Sequence, residues 1–314
     1  MTKDFLEEKK REQAAILKEY RASLFDNAKD IGYSKKNDEW FDYLIKPQDS
    51  AKNLYKGIRK EAIEYFKKYG IVWWQCLNKS YEPTGHMVSS QIHCLNHLFA
   101  FRDKPEALKL ILQKATLLPI KSILPSPIDK DGYIAFEFVY KNRTLLHEKN
   151  ETRGANCTSI DALVFVETEE NKSVLVPIEW KYTESYDKKK KADEDVVNER
   201  YKDLASRPYS NLNGWKDEYY YDPLYEFARQ TLLMEQIIHE NPMGSLHDKA
   251  DDYVHIIVRP NDNTEICTDI QNFKKDSKNK DKVIEIDPQD LLSPMRDNKK
   301  YEDLINYLET RYWE

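Results

Sequence analysis

Two acidic residues and a lysine stand out by their setting. Asp161 opens the apolar run "IDALVFV", and Glu179 and Lys181 close the run "SVLVPIEWKY". A carboxylate placed in an apolar strand needs compensation, because burying an uncompensated charge is costly. The turn between the runs falls in "ETEENK". Centred on Glu170, it puts Asp161 nine residues before the centre and Glu179 nine after it, directly opposed in an antiparallel hairpin. Side chains alternate along a strand, so Asp161, Glu179 and Lys181 share one face. The other face carries Val174, Val176, Ile178 and Trp180 with Ile160, Ala162, Val164 and Val166, and must be core. Like charges opposed across a ladder, with Cβ atoms about 5 Å apart, destabilise it. A cation therefore belongs between the carboxylates. Lys181 supplies part of that charge, and Mg²⁺, which takes one or two carboxylates plus waters and phosphate oxygens, supplies it better. A structural ion pair is the competing reading, and a one-residue slip of register would dissolve the geometry.

The elements that must position these residues are legible in outline. The first seventy residues read as helical: Leu17, Tyr20 and Leu24 share a face, and "NLYKGIRKEAIEYFKKYG" repeats Leu54, Ile58, Ala62, Tyr65 and Tyr69 before Gly70 supplies a stop. "IVWWQ" follows as a short strand or connector. A helix starts near Ser89 or Ser90, both good N-caps, with Ile92, Leu95 and Phe99 on its stripe, and another runs from Pro105. From residue 133 the period becomes two-fold, and "YIAFEFVY", "IDALVFV" and "SVLVPIEWKY" are three successive strands. A charged helical segment, "DEDVVNERYKDLA", precedes the helix "PLYEFARQTLLMEQIIHE", which Asp222-Pro223 opens. "YVHIIVRP" is a fourth strand, "KVIEIDP" a candidate fifth, and "KKYEDLINYLETRYW" an amphipathic helix. Helix, three strands, helix, strand is a mixed α/β layout with an antiparallel start and a crossover helix. Three segments are expected: a helical region over 1–70, a core over 71–285 and a helical tail over 286–314.

Composition narrows the function classes. The 314 residues suffice to bury a full core, and 40% hydrophobic content with 21 tyrosines and 6 tryptophans argues against disorder. A formal net charge of −6 supplies no global field for nucleic acid, so any such surface must be a local basic patch. Four cysteines without a CxxC pair favour a reducing cytoplasm. The N-terminus "MTKDFLEEKKREQAAILKEY" is too charged for a signal peptide, and no apolar run approaches bilayer length. There is no GxGxxG or P-loop to cradle a nucleotide and no GxSxG to serve a serine nucleophile.

Asp161 followed by "IEWK", in this order of elements, resembles the PD-(D/E)xK nuclease superfamily. Together with "SSQIHCLNHLF", "CTSIDALVFV" and "VPIEWKYTE" it is similar to a bacterial restriction-endonuclease-like family within that group, over roughly residues 71 to 260. Ile160 stands where the strict motif has proline, a common relaxation. The resemblance implies a restriction-endonuclease-like mixed central sheet flanked by helices, with an N-terminal helical extension. It implies Mg²⁺-dependent phosphodiester hydrolysis, with Mn²⁺ as substitute, on DNA that is most often double-stranded, and it allows a homodimer, since each centre cuts one strand. Asp161 and Glu179 would hold the ion, with the backbone carbonyl of Trp180 a further ligand. Lys181 would orient the attacking water or stabilise charge on the phosphorane-like transition state. A fourth group often comes from a preceding element: Glu137 within "YIAFEFVY" is the first candidate and Glu148 the alternative, either of which could be a salt-bridge partner instead. Gln91 and Gln230 match polar helix positions that face nuclease centres, against the plainer reading of side chains bonded to backbone or solvent.

Other signals are weaker. His93 and His97, with Cys94 between them and His86 nearby, have a zinc-compatible spacing but lack an HExxH glutamate and paired cysteines. "DKKKKAD" at 187–193 and "KKDSKNKDK" at 274–282 are solvated faces or, for the first, a contact for the DNA backbone. The aromatics of "NGWKDEYYYD" line a groove or simply pack. Three readings stay open from sequence: a Mg²⁺-dependent DNA endonuclease of restriction or defence, a catalytically silent nucleic-acid-binding or scaffold protein of the same fold, and a nuclease for RNA or for branched or damaged DNA.

Overall fold

A computed structural model describes residues 5–34, 39–74, 82–129, 131–140, 143–148, 157–184, 186, 189–240 and 250–313. In chain order the helices and strands are α1 (Phe5–Glu19), α2 (Arg21–Phe25), β1 (Asp30–Ser34), β2 (Glu39–Ile45), α3 (Arg59–Lys68), α4 (Ser90–Leu98), α5 (Pro105–Thr116), β3 (Ile120–Leu124), β4 (Ile134–Phe138), β5 (Ile160–Thr168), β6 (Ser173–Trp180), α6 (Glu194–Arg200), α7 (Lys202–Ala205), α8 (Leu224–His239), β7 (Asp252–Tyr253), β8 (His255–Val258), α9 (Cys267–Asp276), β9 (Val283–Ile286), α10 (Pro288–Leu291) and α11 (Glu302–Leu308). The chain divides into two compact units: Met1–Phe101 with Trp180–Glu184 and Pro288–Glu314, and Arg102–Glu179 with Ser185–Asp287. The expected segments 1–70 and 286–314 fall almost wholly in the first unit, as do residues 71–101. Among the described residues no helix is long and apolar enough to cross a membrane.

In the first unit, α1 buries Phe5, Lys9, Gln13 and Leu17, a stripe of period four. Two of the four are polar, and Gln13 has a dedicated partner: its Nε2 donates to the Arg311 carbonyl at 2.8 Å, and its Oε1 accepts from Arg311 Nε at 3.3 Å. The Arg311 guanidinium, 1% exposed, also donates to the Asn53 carbonyl and Oδ1 and to the Tyr307 hydroxyl. The C-terminal turn is thereby fastened to both α1 and the 3-10 turn Pro47–Asn53. Sequence reading had the whole first seventy residues helical; instead β1 and β2 form an antiparallel hairpin. The aromatic and aliphatic run "WFDYLI" of β2 carried that signal, hidden between two stronger helical patterns. Further on the helix limits follow their sequence signals: Gly70, at φ +61°, ends α3, and Ser89 caps α4 by accepting from Ile92 N–H at 3.4 Å.

The second unit is built on a seven-stranded mixed sheet flanked by helices. β3 and β4 both pair antiparallel with β5, one after the other, and β5 pairs antiparallel with β6. β7 runs parallel to β6, β8 lies beside β6, and β9 runs parallel to β8. Its main core places Phe227, Ala228, Leu232 and Met234 of α8 with Leu163, Phe165 and Leu175 of the hairpin and Ile257 of β8. Each such side chain contributes about 1.5–3 kcal/mol by leaving water. The opposite face, Ala162, Val164, Val166, Val174, Val176 and Ile178, is also buried, as expected from sequence. Both faces of the hairpin are therefore covered, so the strands read as near-continuous apolar runs. Strands β3 and β7 were not foreseen. Only Ile120 and Ile123 of β3 are buried, and β7 is two residues long, too little for a period.

Candidate active site

The hairpin turn fixes the register on which the site depends. Thr168 N–H donates to the Lys172 carbonyl at 2.9 Å, Asn171 N–H donates to the Thr168 carbonyl at 2.8 Å, and Asn171 takes φ +57°. Asparagine tolerates this left-handed position, which closes a three-residue hairpin loop. The ladder then runs from Glu167↔Ser173 to Ala162↔Ile178 without a shift, and that register continued by one residue brings position 161 opposite position 179. On its other side β5 meets β4, where Phe136↔Ala162 and Phe138↔Ile160 leave Glu137 facing Asp161. Three acidic positions thus lie in one row across β4, β5 and β6. Glu137 has φ +49°, a left-handed backbone that costs a non-glycine residue of order 1–3 kcal/mol and concentrates at functional sites.

Helix α8 supplies the partners. Gln230, 1% exposed, donates through Nε2 to Glu179 Oε2 at 2.5 Å and to the Ser159 carbonyl at 2.9 Å. Both partners are acceptors, so the amide orientation is fixed by the pair. Its Oε1, equally buried, has no hydrogen-bond partner among the described residues. Gln230 therefore ties the strand before Asp161 to the carboxylate across from it. One residue earlier, Arg229 donates to Glu148 Oε1 at 2.7 Å, and Glu148 accepts from the Thr158 N–H at 2.8 Å and hydroxyl at 2.6 Å and from the Tyr201 hydroxyl at 3.1 Å. Burial works against the Arg229 charge, but Tyr201 and Glu148 beside it hold its pKa above the usual arginine value. Residues 229 and 230 thus clamp Thr158 and Ser159, directly ahead of Asp161. Glu148, the alternative site residue, is a salt-bridge partner in this clamp. Arg229 and Thr158 were missed from sequence, where an arginine on an apolar helix stripe was the available signal. Gln230→Leu removes both donations, and we expect it to lower stability by about 1–2 kcal/mol in thermal unfolding.

The remaining candidates lie in the first unit. Lys181, 4% exposed, follows two residues after Glu179. Gln91, on α4, accepts from the Trp74 N–H at 3.0 Å and holds the connector 71–75, of which Gln75 lies outside the described residues. His93 and His97 are buried and neutral. Trp180 Nε1 donates to His93 Nδ1 at 2.6 Å; Trp313 Nε1 donates to His97 Nε2 at 3.1 Å, and His97 Nδ1 meets the His93 carbonyl at 2.7 Å. Both His97 nitrogens are used, so the histidine pair is a packing motif and no zinc site. Burial pushes His97 down to about 3 and His93 well below its usual range, and Arg311 adds to both shifts.

These histidines give the first unit a pH dependence with a definite sign. Neutral when folded, they gain protons on unfolding below about pH 6.5, so stability is full above that value and falls as pH drops. At pH 5 the loss from His97 is about 2 kcal/mol, and His93 adds a loss of the same sign. Five of the 6 tryptophans belong to this unit, so denaturant melts followed by tryptophan fluorescence report it. The midpoint should fall clearly between pH 7.5 and pH 5, whereas an unchanged midpoint contradicts the neutral assignment.

Other sequence signals resolve into structure. Lys190 lies over the Tyr220 ring at 4.4 Å and Lys191 pairs with Asp222 at 2.6 Å, so part of the lysine run is tethered; Asp187 and Lys188 lie outside the described residues. Asp222 makes that ion pair and forms no side-chain cap on α8. In the second run, Lys282 binds Asp252 at 2.5 Å. The aromatics at 215–220 pack: Trp215 stacks on Tyr201 at 5.2 Å, and Tyr219 and Tyr220 join the main core. Cys94 and Cys157 are buried, Cys267 is half-buried, and Cys76 lies outside the described residues.

The fit of a metal can be judged from the donors present. Among the described residues no group of three or more His, Cys, Asp or Glu side chains is arranged to hold an ion. Asp161 and Glu179 are two hard oxygen donors in register, and the buried, unpartnered Oε1 of Gln230 belongs to the amide that holds Glu179. Few carboxylates, with the remaining positions left to water and substrate, is how Mg²⁺ is usually bound.

A central mixed sheet flanked by helices is the architecture of a restriction-endonuclease-like protein. Residues 15–313 match the family described as "Restriction Endonuclease associating with ARP", and the chain belongs to that family. The family is one of nucleases. No curated protein and no solved structure matched the sequence.

Proposed function

We propose that this chain is a Mg²⁺-dependent endonuclease that hydrolyses phosphodiester bonds of double-stranded DNA, as a restriction or defence enzyme. What supports this reading is the unshifted β5–β6 register, which continued by one residue would oppose Asp161 to Glu179, together with the bond from Gln230 of α8 to Glu179. Two carboxylates forced together in a covered sheet weaken the ladder. A fold retains such a pair where the charges have a use. Asp161, Glu179 and the Trp180 carbonyl would hold the ion, and Mn²⁺ would substitute for it. Bound there, the ion would polarise the phosphate and lower the pKa of a water. Gln230 orients Glu179 by donating to it. Lys181, two residues along the chain, brings an ammonium to the attacking water or to the charge developing on the phosphate. Glu137, opposite Asp161, is the proposed additional acidic group, and its strained backbone supports a role beyond packing. Gln91, on α4, is retained as a further candidate polar group of the site. Cutting both strands of a duplex calls for two centres, so the working form would be a homodimer.

The test is incubation of supercoiled plasmid, linear duplex, branched DNA and RNA with Mg²⁺, Mn²⁺ or EDTA. Duplex cleavage supported by either metal and stopped by EDTA is the expected result. Cleavage confined to RNA or branched DNA would shift the substrate. Retention of DNA without cleavage of any substrate would establish the silent binding protein instead.

A further inference from the structure

The segment that carries Lys181 is anchored through its two flanking residues to one imidazole. Trp180 donates its indole N–H to His93 Nδ1 at 2.6 Å, and the Tyr182 ring lies on the His93 ring with centroids 3.9 Å apart and planes 18° apart. Residues 180 and 182 therefore both engage His93, which fixes the chain on either side of Lys181. The next residue is fixed as well: the Thr183 hydroxyl donates to the Val88 carbonyl at 3.0 Å. Around the same imidazole stand His97, with centroids 4.2 Å away, and Tyr312, edge-on at 4.3 Å. The charged groups acting on it are Arg311 and Lys9, both cationic. Because Nδ1 accepts from Trp180, the ring is neutral with its proton on Nε2.

A phenylalanine at this position could fill the space and stack on Tyr182. What imidazole adds is an acceptor aimed at the indole beside Lys181. Without it the buried indole N–H loses its partner, a reason for Trp180 to turn and carry the next residue with it. A lysine ammonium lies roughly 6 Å from its Cα, so a swing of about 20° displaces it by about 2 Å, and a displacement of about 1 Å can cost a reaction about 100-fold. We propose that His93 is the positioning residue for Lys181, setting the direction of its ammonium through Trp180 and Tyr182. This rests on the nuclease reading for its consequence in catalysis, but its geometry can be tested apart from cleavage.

Three variants of the full chain separate the parts. His93→Phe keeps a ring and removes the acceptor, Trp180→Phe removes only the donor, and His93→Asn restores an acceptor near Nδ1 while removing the ring. Two readouts are taken on folded protein: kcat and KM for metal-dependent DNA cleavage, and the rate of amine acylation at Lys181 by mass spectrometry, with the other lysines as internal reference. For His93→Phe and Trp180→Phe we expect kcat to fall about 10- to 100-fold with KM nearly unchanged. Acylation of Lys181 alone should rise several-fold, and His93→Asn should recover part of both. Unchanged acylation in both Phe variants overturns the proposal, as does a loss of activity that only tracks the loss of folded protein. Should His93→Phe fail to fold, Trp180→Phe decides the matter. Absence of cleavage by the wild-type protein would remove the nuclease reading, and the acylation rates would still decide whether His93 positions Lys181.

Discussion

Asp161→Ala and Glu179→Gln should each lower the single-turnover rate of DNA cleavage by about 1,000-fold or more, while leaving the protein as stable as the wild type or slightly more so. The loss follows from removing one of two charges that hold a catalytic ion and stabilise the transition state, where single preorganised groups are worth about 100- to 1,000-fold and an ion more. The unusual part is the sign on stability. Like charges directly opposed at the end of the β5–β6 ladder would repel without an ion, and relieving that repulsion would return up to about 1 kcal/mol. Glu179→Gln keeps an acceptor for Gln230 Nε2, so the clamp to Ser159 survives. Cleavage rates measured with Mg²⁺ and melting midpoints measured without metal would check both halves. Cleavage within tenfold of wild type in either variant would remove these residues from the centre.

Glu148→Ala should have the opposite profile, a large loss of stability. It leaves Arg229 buried without its carboxylate and strips acceptors from the Thr158 N–H and hydroxyl and from the Tyr201 hydroxyl. Breaking a buried ion pair from one side costs about 3–5 kcal/mol. For a unit of this size that is a fall of roughly 10 °C in melting temperature. Glu148→Gln, which keeps an acceptor, should lose less. Because the clamp sits just before Asp161, cleavage in Glu148→Ala should be recovered in part below its melting range, as no catalytic group has been removed. A stable Glu148→Ala that cannot cut would assign Glu148 to catalysis instead.

The contrast between these carboxylates marks how far the sequence could be read. The register of the β5–β6 hairpin was legible because it depends on chain separation and turn position alone, and "ETEENK" offered one natural centre. Glu148 was ambiguous because its meaning depends on Arg229, 81 residues away, which no local pattern connects to it. Gln230 could be marked as a polar position on an apolar helix, but not that its amide bridges Ser159 and Glu179. The β1–β2 hairpin was lost for a different reason, since a short strand pair between strong helices leaves too few residues to set a two-fold period. The role of His93 was out of reach: its spacing to His97 suggested a metal, and only the surrounding rings of Trp180, Tyr182 and Tyr312 show what the pair does.

The most direct test of the central claim is calorimetric titration of the metal-free protein with Mn²⁺, run on the wild type and on Asp161→Ala. Saturable binding by the wild type that is lost or weakened at least tenfold in Asp161→Ala is the result expected if the opposed carboxylates share an ion. No binding by the wild type, or equal binding by both proteins, would contradict it.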